Sequence, residues 1–373
     1  MRAPLLVALL VAAVLALPVT GSGSVPTQVG PGEGKLALLA WEGYVEKQWV
    51  IPFERSTGCE VDVRYASSPE EMFRLFVARS SRFDLVSASG ETALRLVDRK
   101  AVQPVDVELV PGWRGFAESL RSPSFNTVGG VHYGVTALWG ANLLLFDAGK
   151  VRPAPTTWSA VYDRRYAGRI AVPDNPLQIA DAALYLARAR PALRIRDPYV
   201  LTRQQFDAAI ELLTRQRSLA RSYWDEAGDE VGLFAQGKVW LGSGWQYQAE
   251  RLAEHDRIRA VVPREGVTGW ADTWMLSSRA EHPNCAYRWL QWVSTPTVQA
   301  QQAVFFGATP ASRLACTSMD RIEPGSCARY RADAPDAYAR AIRFWKTPGT
   351  RCGEVARCVP YTAWLQAWDR LMR

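Results

Sequence analysis

Residues 35–87 read KLALLAWEGYVEKQWVIPFERSTGCEVDVRYASSPEEMFRLFVARSSRFDLVS. Short apolar or alternating runs in this stretch indicate β-strands, and the segments between them carry apolar residues at helical spacing. The order is strand, helix, strand, helix, strand, with predicted bounds of 35–40, 44–56, 59–65, 69–78 and 83–87. This rhythm is typical of a parallel α/β sheet.

A similar pattern returns later in the chain. We predict strands at 169–172, 239–242, 258–263 and 273–277, and helices at 179–189, 202–215 and 282–294. A length of 373 residues, of which 48% are hydrophobic, is enough for about two domains with cores of their own. The predicted fold class is therefore α/β with two lobes, each a mostly parallel sheet flanked by helices. A ligand cleft is expected between the lobes, where such sites usually lie.

The first residues have the composition of an export signal. Arg2 is followed by a continuous apolar run, Leu5–Leu17, and then by small residues. The run is too short to span a membrane, which needs about 20 residues. We predict a cleavable signal peptide at 1–24, a flexible leader rich in Pro and Gly at 25–34, and a periplasmic or extracellular location.

The cysteine content agrees with export, because disulfides persist in oxidising compartments. Six cysteines allow 15 connectivities. Local spacing favours two bridges and leaves a third pair. The alternative is that one or two of the cysteines are buried free thiols. The favoured pairs are Cys316–Cys327, Cys352–Cys358 and Cys59–Cys285.

Several function classes lack their sequence signals. The formal net charge is +7, and the positive side chains are almost all arginines spread along the chain. Nucleic-acid binding favours a cluster of positive charge instead. No H-E-x-x-H, G-x-S-x-G, G-x-G-x-x-G or Walker motif occurs. The acidic cluster Asp225, Glu226, Asp229 and Glu230 lacks the spacing of a calcium loop and is interpreted as a solvated helix start. We therefore expect no enzyme activity, no cofactor, no metal site and no nucleic-acid partner.

Four segments, in order, carry a family likeness. They are Ala40-Trp41-Glu42-Gly43-Tyr44, Phe83-Asp84-Leu85-Val86-Ser87-Ala88-Ser89, Thr157–Tyr162 followed by Tyr166-Ala167-Gly168-Arg169-Ile170, and Val262-Pro263-Arg264-Glu265-Gly266 leading into Trp270-Ala271-Asp272. Over residues 36–312 the chain thereby resembles the periplasmic spermidine/putrescine receptors of ABC importers. The C-terminal part with its four cysteines is less similar.

The resemblance implies a two-lobed receptor that closes on an amine. Aromatic walls would cover the methylene chain, a carboxylate would bind an ammonium end, and a serine would hydrogen-bond near that end. Carried over to this chain, the walls are Trp41, Tyr44, Trp245 and Trp270, the carboxylate is Asp272, the serine is Ser89, and Gln366 matches a family glutamine. The chemistry is reasonable in itself, since aromatic faces attract cations and a carboxylate forms charge-assisted hydrogen bonds with ammonium groups.

The chain departs from the family pattern at the second lobe. Where the family has acids, this sequence has Asn175 and Gln178, while Glu91 replaces a tyrosine in the first lobe. Fewer acids favour a ligand with fewer ammonium groups, and Glu91 restores one acid. The alternatives are therefore a polyamine, a smaller amine, or an opine-like or amino-acid-derived amine. A secreted enzyme on the same scaffold is the alternative from another class.

The resemblance also implies an organisation and a partner. The chain should cross between the lobes near Leu138–Ala141 and Gly266–Gly269, giving lobe 1 as 35–138 plus 270–312 and lobe 2 as 139–269 plus 313–373. We expect a monomer that delivers its small-molecule amine to the permease subunits of an ABC importer.

Overall fold

A computed structural model describes residues 28–352 and 356–373 of the chain. The predicted signal peptide, 1–24, and the first residues of the predicted leader lie outside the described residues. The strands are β1 (Lys35–Ala40), β2 (Glu60–Tyr65), β3 (Leu85–Ser89), β4 (Thr127–Val128), β5 (Val131–His132), β6 (Val135–Asp147), β7 (Ile170–Pro173), β8 (Ala220–Trp224), β9 (Leu241–Trp245), β10 (Ile258–Val261), β11 (Val267–Leu276), β12 (Thr309–Pro310), β13 (Ile342–Phe344), β14 (Arg351–Cys352) and β15 (Ala356–Arg357).

The α-helices alternate with these strands. They are α1 (Lys47–Thr57), α2 (Pro69–Ala78), α3 (Gly90–Asp98), α4 (Glu118–Arg121), α5 (Gln178–Ala189), α6 (Arg203–Arg217), α7 (Ala227–Ala235), α8 (Gln246–Arg251), α9 (Pro283–Val293), α10 (Pro296–Phe306), α11 (Cys316–Ile322), α12 (Ser326–Arg329), α13 (Pro335–Ala339) and α14 (Tyr361–Met372). In the described part of the chain, no helix combines the length and apolar character that crossing a membrane requires.

The first sheet region is built as the opening stretch predicts. Strand β1 pairs in parallel with β2 on one side and with β3 on the other. Local signals set the helix ends: Gly58 ends α1 in the left-handed conformation, and the Ser68 hydroxyl accepts a hydrogen bond from the backbone N–H of Glu71 at the start of α2. The second region repeats the arrangement, with β7 in parallel between β8 and β9.

Two long strands join the two regions. Strand β11 pairs antiparallel with β3 through 272–276 and with β6 through 269–274, and β6 continues through 142–146 to pair with β9. Every residue of β6 is buried, which agrees with its mostly apolar sequence; it includes the buried polar residues Thr136, Asn142 and Asp147. Sequence analysis predicted only the end of β11 and did not predict β6 as a strand. The lobe boundaries themselves stay a prediction.

The C-terminal residues lie across both regions. The carboxylate of Asp336 accepts hydrogen bonds from the backbone N–H and the hydroxyl of Ser119 in α4, whereas α14 packs on α6 through Trp364 and Phe206. Strand β13 pairs with β11 at 267–269. The tail therefore contacts elements of both halves of the sheet.

The disulfide prediction is confirmed. The bridges are Cys59–Cys285, Cys316–Cys327 and Cys352–Cys358. One local prediction is wrong in part. Helix α7 does begin in the acidic cluster, with Asp225 exposed, but Glu230 is fully buried, because its carboxyl packs against Gly242 and Gly244 of β9.

Candidate ligand-binding site

Asp272 lies where β11 runs beside β3, opposite Ser89 in the strand register. The Ser89 hydroxyl donates to Asp272 Oδ1 at 2.7 Å, and the Tyr44 hydroxyl donates to Asp272 Oδ2 at 2.7 Å. Burial raises the pKa of this carboxyl to about 6, against the opposing effect of the two hydrogen bonds. Within residues 28–352 and 356–373, no basic side chain forms an ion pair with Asp272. The site thus contains a buried, uncompensated acid.

Tyr44 has a different position from the aromatic wall that the sequence suggested. Its ring is buried, with its centroid 4.9 Å from that of Phe306 and 6.2 Å from that of Trp274. Burial, followed by the nearby Asp272, holds the pKa of its hydroxyl well above the usual value. Tyr44 therefore serves Asp272 as a hydrogen-bond donor and packs its ring in the core.

Glu91 stands in the first turn of α3, two residues after Ser89. The residue is 1% exposed, and neither carboxyl oxygen receives a hydrogen bond from another described residue. Burial raises its pKa to about 8; its own backbone N–H opposes the rise, and the charge of Asp272 adds to it. A second acid therefore lies beside the first.

Three tryptophans predicted from the sequence differ from the core tryptophans. Trp41, Trp245 and Trp270 are partly exposed, whereas five others are less than 2% exposed: Trp49, Trp139, Trp274, Trp289 and Trp364. The indole N–H groups of Trp41 and Trp270 are buried without a hydrogen-bond partner among the described residues. The Trp270 indole lies flat against Gly140, where a Cβ would come within 3.1 Å of its ring. The core residues Trp274 and Trp289 also have unpartnered indole N–H groups, so it is partial exposure that sets the three predicted tryptophans apart.

The second side of the site centres on an acid that sequence analysis missed. Asp181 lies one turn into α5, and its carboxylate accepts hydrogen bonds from Gln178 Nε2 at 2.6 Å and from the Thr268 hydroxyl. Asn142 Nδ2 donates in turn to Thr268 Oγ1 at 2.6 Å. Burial raises the pKa of Asp181 to about 7, although the Thr268 hydrogen bond opposes it. The i, i+3 spacing from Gln178 is the signal that would have found Asp181.

Neither predicted amide is free to act as a simple substitute for an acid. Asn175 Oδ1 accepts a hydrogen bond from the backbone N–H of Leu177 at 2.8 Å and so shapes the turn before α5. Gln178 is buried and directed to Asp181. Gln366 is exposed on α14, on the face opposite the buried Trp364 and Trp368, and the structure does not bring it to the other candidates. That placement corrects the match made from sequence.

Trp245 was predicted, whereas two other residues near the site, Tyr223 and Trp345, were not. Trp245 ends β9 opposite Asn142 in the strand register, with its ring centroid 5.1 Å from that of Trp224. The Tyr223 hydroxyl and the Trp345 indole N–H are buried without a partner among the described residues. Trp345 reaches the site because its backbone N–H donates to the Gly269 carbonyl at 2.7 Å.

The two sides surround a common region. Burial, and then the charges of Asp181, Asp197 and Glu91, hold the pKa of Tyr199 well above its usual value. Thr268, whose hydroxyl donates to Asp181, and Asp272 lie four residues apart on β11, so the two sides meet along this strand. No group of three metal-ligating side chains is found in the described part of the chain. The arrangement suits an organic cation held by carboxylates and aromatic faces.

Comparison with known proteins agrees with this geometry. The family profile of bacterial extracellular solute-binding proteins matches residues 48–319. The chain is 25% identical over 304 residues to a putrescine/agmatine-binding protein of Pseudomonas aeruginosa, covering 76% of this chain and 80% of that protein. The resemblance to polyamine receptors seen in the sequence motifs is therefore confirmed.

Solved structures agree in fold. The TpPotD lipoprotein of Treponema pallidum superposes with a TM-score of 0.73 at 17% identity, covering 91% of this chain and 100% of that one. MotA of A. tumefaciens in complex with glucopine gives 0.68 at 16% identity, covering 91% and 100%. The predicted two-lobed α/β fold of periplasmic binding proteins is confirmed. The chain belongs to the bacterial extracellular solute-binding protein family.

Proposed function

We propose that this protein binds a linear di- or polyamine between its lobes and delivers it to an ABC importer. The observation that carries the proposal is Asp272, a buried carboxylate with two hydroxyl donors and no basic partner among the described residues. An isolated buried charge is unfavourable by several kcal/mol. An ammonium group of the ligand supplies the missing charge.

Asp181 explains how the site prefers a diamine over a monoamine. Asp181 belongs to the opposite side of the site and is also without an ion-pair partner among the described residues. The two acids match two cationic ends, and Trp41, Trp245 and Trp270 cover the methylene chain between them. Each desolvated cation–π contact contributes about 0.5–2 kcal/mol.

A second candidate ligand is an opine-like amine that also carries hydrogen-bond acceptors. The observation that favours it is the pair of buried, unpartnered indole N–H groups of Trp41 and Trp270. A polyamine with every nitrogen protonated offers donors and no acceptor, so it leaves both indoles unsatisfied. A carboxylate or hydroxyl on the ligand would satisfy them.

The family membership supports the remaining parts of the proposal. We propose that residues 1–24 direct export and are removed, that the mature protein works as a monomer in the periplasm or outside the cell, and that its partner is an ABC permease. The solute-binding family is a transport family, and the proposed role involves no chemical step.

Thermal-shift screening of the mature protein tests the ligand class. The probes are 1,4-diaminobutane, spermidine, agmatine, butylamine and an opine. A ligand at about 100 times its dissociation constant stabilises the folded state by roughly 2.7 kcal/mol. Stabilisation by the diamine at concentrations where butylamine has no effect supports a two-ended site. Stabilisation by the opine alone favours the second candidate, and no response to any amine contradicts both.

A further inference from the structure

Glu91 is a buried acid whose environment does not satisfy it. Its oxygens receive no hydrogen bond from another described residue, and the C-terminal tail covers the turn that carries it. The Thr347 hydroxyl donates to the Glu91 carbonyl oxygen at 2.7 Å, and a side chain at Gly90 would overlap the carbonyl oxygen of Trp345. The tail therefore excludes solvent from the start of α3. A buried ionisable group without partners calls for a functional explanation.

The one base near Glu91 is already engaged. Arg95 Nη1 and Nη2 donate to the Glu70 carboxylate at 2.6 and 3.0 Å, and the guanidinium lies 3.8 Å from the centroid of the Phe73 ring and 5.1 Å from that of Tyr361. Arg95 therefore compensates Glu91 only in part: its charge favours the ionised form of Glu91, the charge of Glu70 opposes that effect, and burial outweighs both.

Among the described residues, the other groups that act on Glu91 carry no positive charge. Asp272 on β11 and Glu70 on α2 are acids and disfavour its ionisation. Tyr361 on α14 and Tyr199 before α6 are buried phenols whose own pKa values are raised, so both are neutral near pH 7. In the empty site Glu91 is therefore held as the protonated acid.

A cation bound at Asp272 reverses this balance. Its positive charge lies beside both carboxyls and favours the ionised form of Glu91. The position of Glu91 in the first turn of α3 also favours a negative charge, because the helix dipole is positive there. Ionised Glu91 then accepts a charge-assisted N–H hydrogen bond from the ligand, which is stronger than a hydrogen bond to the neutral acid.

We propose that Glu91 joins Asp272 in binding one cationic end of the ligand and releases its proton to solvent as the ligand enters. The O–H bond of the acid breaks, the proton passes to water or buffer, and the carboxylate accepts an N–H from the ammonium. This step rests on the proposed amine-binding function and adds to it: the receptor exchanges one proton for one cation. The ligand end must therefore carry N–H donors, as a primary ammonium or a guanidinium does.

Isothermal titration calorimetry tests the exchange on the wild-type protein. Binding of 1,4-diaminobutane is measured at about pH 7 in buffers with different ionisation enthalpies. The dependence of the observed heat on buffer ionisation enthalpy gives the number of protons released. Glu91, which is mostly protonated in the empty site, should release about 0.5 to 1 proton per ligand, and Asp181, whose pKa is raised to about 7, should add a smaller share. Affinity should correspondingly rise at least about 3- to 10-fold from pH 6.5 to 7.5.

Two variants assign the proton to its residue. Glu91→Gln should still bind the diamine but release about 0.5 to 1 proton fewer than wild type, because Asp181, whose pKa is raised to about 7, still releases its share. Glu230→Gln is the matched control, because Glu230 is also fully buried and its pKa is also raised by burial, but its carboxyl faces Gly242 and Gly244 in the core. That variant should release as many protons as wild type.

The possible results separate the two proposals. Diamine binding without proton release by wild type overturns the exchange and leaves the amine receptor standing. The same proton release by Glu91→Gln as by wild type also overturns the assignment to Glu91. If no amine binds to wild type, the proposed function and the exchange both fail. If Glu91→Gln does not fold, the buffer series is run on Asp181→Asn, where a release of about 0.5 to 1 proton supports Glu91 and no release overturns the assignment.

Discussion

The two sides of the site hold their acids in different ways. Asp272 is fixed by strand register, with two hydroxyl donors from Ser89 and Tyr44 that come from separate parts of the first sheet region. Asp181 is fixed by helical spacing, with an amide donor one turn earlier on its own helix and a hydroxyl donor from the crossing strand β11. A sheet thus holds one uncompensated carboxylate, the buried Asp272, and a helix start holds the other, the partly buried Asp181.

The difference indicates which side tolerates change. The donors of Asp272 are set by pairing across β3 and β11, so moving that acid by one residue would turn it to the other face of the sheet. On α5 an acid at 178 or at 181 lies on the same helix face. Asp181 therefore keeps a charge on this helix face, although position 178 carries an amide.

The largest effect is expected from Asp272→Asn. This variant keeps the size of the side chain and removes its charge, which weakens binding of a buried ammonium by about 2–5 kcal/mol. That loss corresponds to about 30-fold or more in affinity for 1,4-diaminobutane. Calorimetric titration of wild type and variant measures it.

The control for this change is the melting temperature of the empty protein. Since Asp272 is unpaired in the empty site, neutralising it should leave the stability equal or raise it. A lower melting temperature with unchanged affinity would identify Asp272 as a structural residue that braces β11, and the amine-binding mechanism would be wrong.

A smaller effect is expected from Asp181→Asn. Loss of this charge should weaken diamine binding by about 10- to 100-fold, because its Gln178 and Thr268 partners remain to solvate the ligand end. Butylamine, which has one ammonium, should bind the variant and wild type equally. Asp207→Asn, at an exposed ion pair with Arg203 on α6, is the control and should change neither affinity.

The titrations with butylamine and the diamine test whether Asp181 and Asp272 each bind one ammonium group. If Asp181→Asn weakens butylamine and diamine by the same factor, Asp181 acts on the closed form of the receptor and does not bind a second ammonium. A loss as large as that of Asp272→Asn would show that the two sides are equivalent.

Much of the first side could be predicted from the sequence because its signals are local. The strand and helix periodicities of 35–87, and the short motifs ending at Ser89 and Asp272, each lie within a few residues. The contact of Ser89 with Asp272 then follows from parallel strands and one antiparallel neighbour.

The remaining features depend on long-range packing. Asp181 joins the site because α5 packs on β11 at Thr268, and Trp345 joins it through the pairing of β13 with β11. Neither pairing has a local sequence signal. Gln366 was misplaced because a motif match ignored the helical period: Trp364 and Trp368 face inward, so a residue midway between them faces solvent.

The free energy of unfolding of the empty protein should depend on pH because Glu91, on the same side as Asp272, titrates. The pKa of Glu91, about 8 in the folded state, lies above its unfolded value of about 4.3, so the stability it contributes is complete below about pH 4 and is lost as pH rises through 8. Between pH 6 and 7.5 the loss from Glu91 is up to about 2 kcal/mol.

Urea denaturation at the two pH values measures this loss. Asp181, with a pKa raised to about 7, acts in the same direction, whereas His132, whose pKa is lowered by burial, acts in the opposite direction. The decisive quantity is therefore the difference between wild type and Glu91→Gln, in which the loss should be smaller. An equal pH dependence in both proteins would show that Glu91 is ionised in the empty site.

The smallest effects are expected from the tryptophans, and they sharpen the comparison between the sides. Trp270→Ala should weaken diamine binding by about 2- to 30-fold, the range of one cation–π contact. Trp245→Ala should fall at the lower end, because its ring also packs edge-on against Trp224 and offers less of its face to a ligand. Both variants should keep the empty fold, and both should reduce the ligand-induced change in tryptophan fluorescence.

Trp364→Ala is the contrasting control: that residue is fully buried in the core, so its removal should destabilise the protein by about 3–5 kcal/mol. If Trp270→Ala unfolds the protein as Trp364→Ala does, Trp270 is a core residue, and Asp272 then binds its ammonium without an aromatic wall on that side.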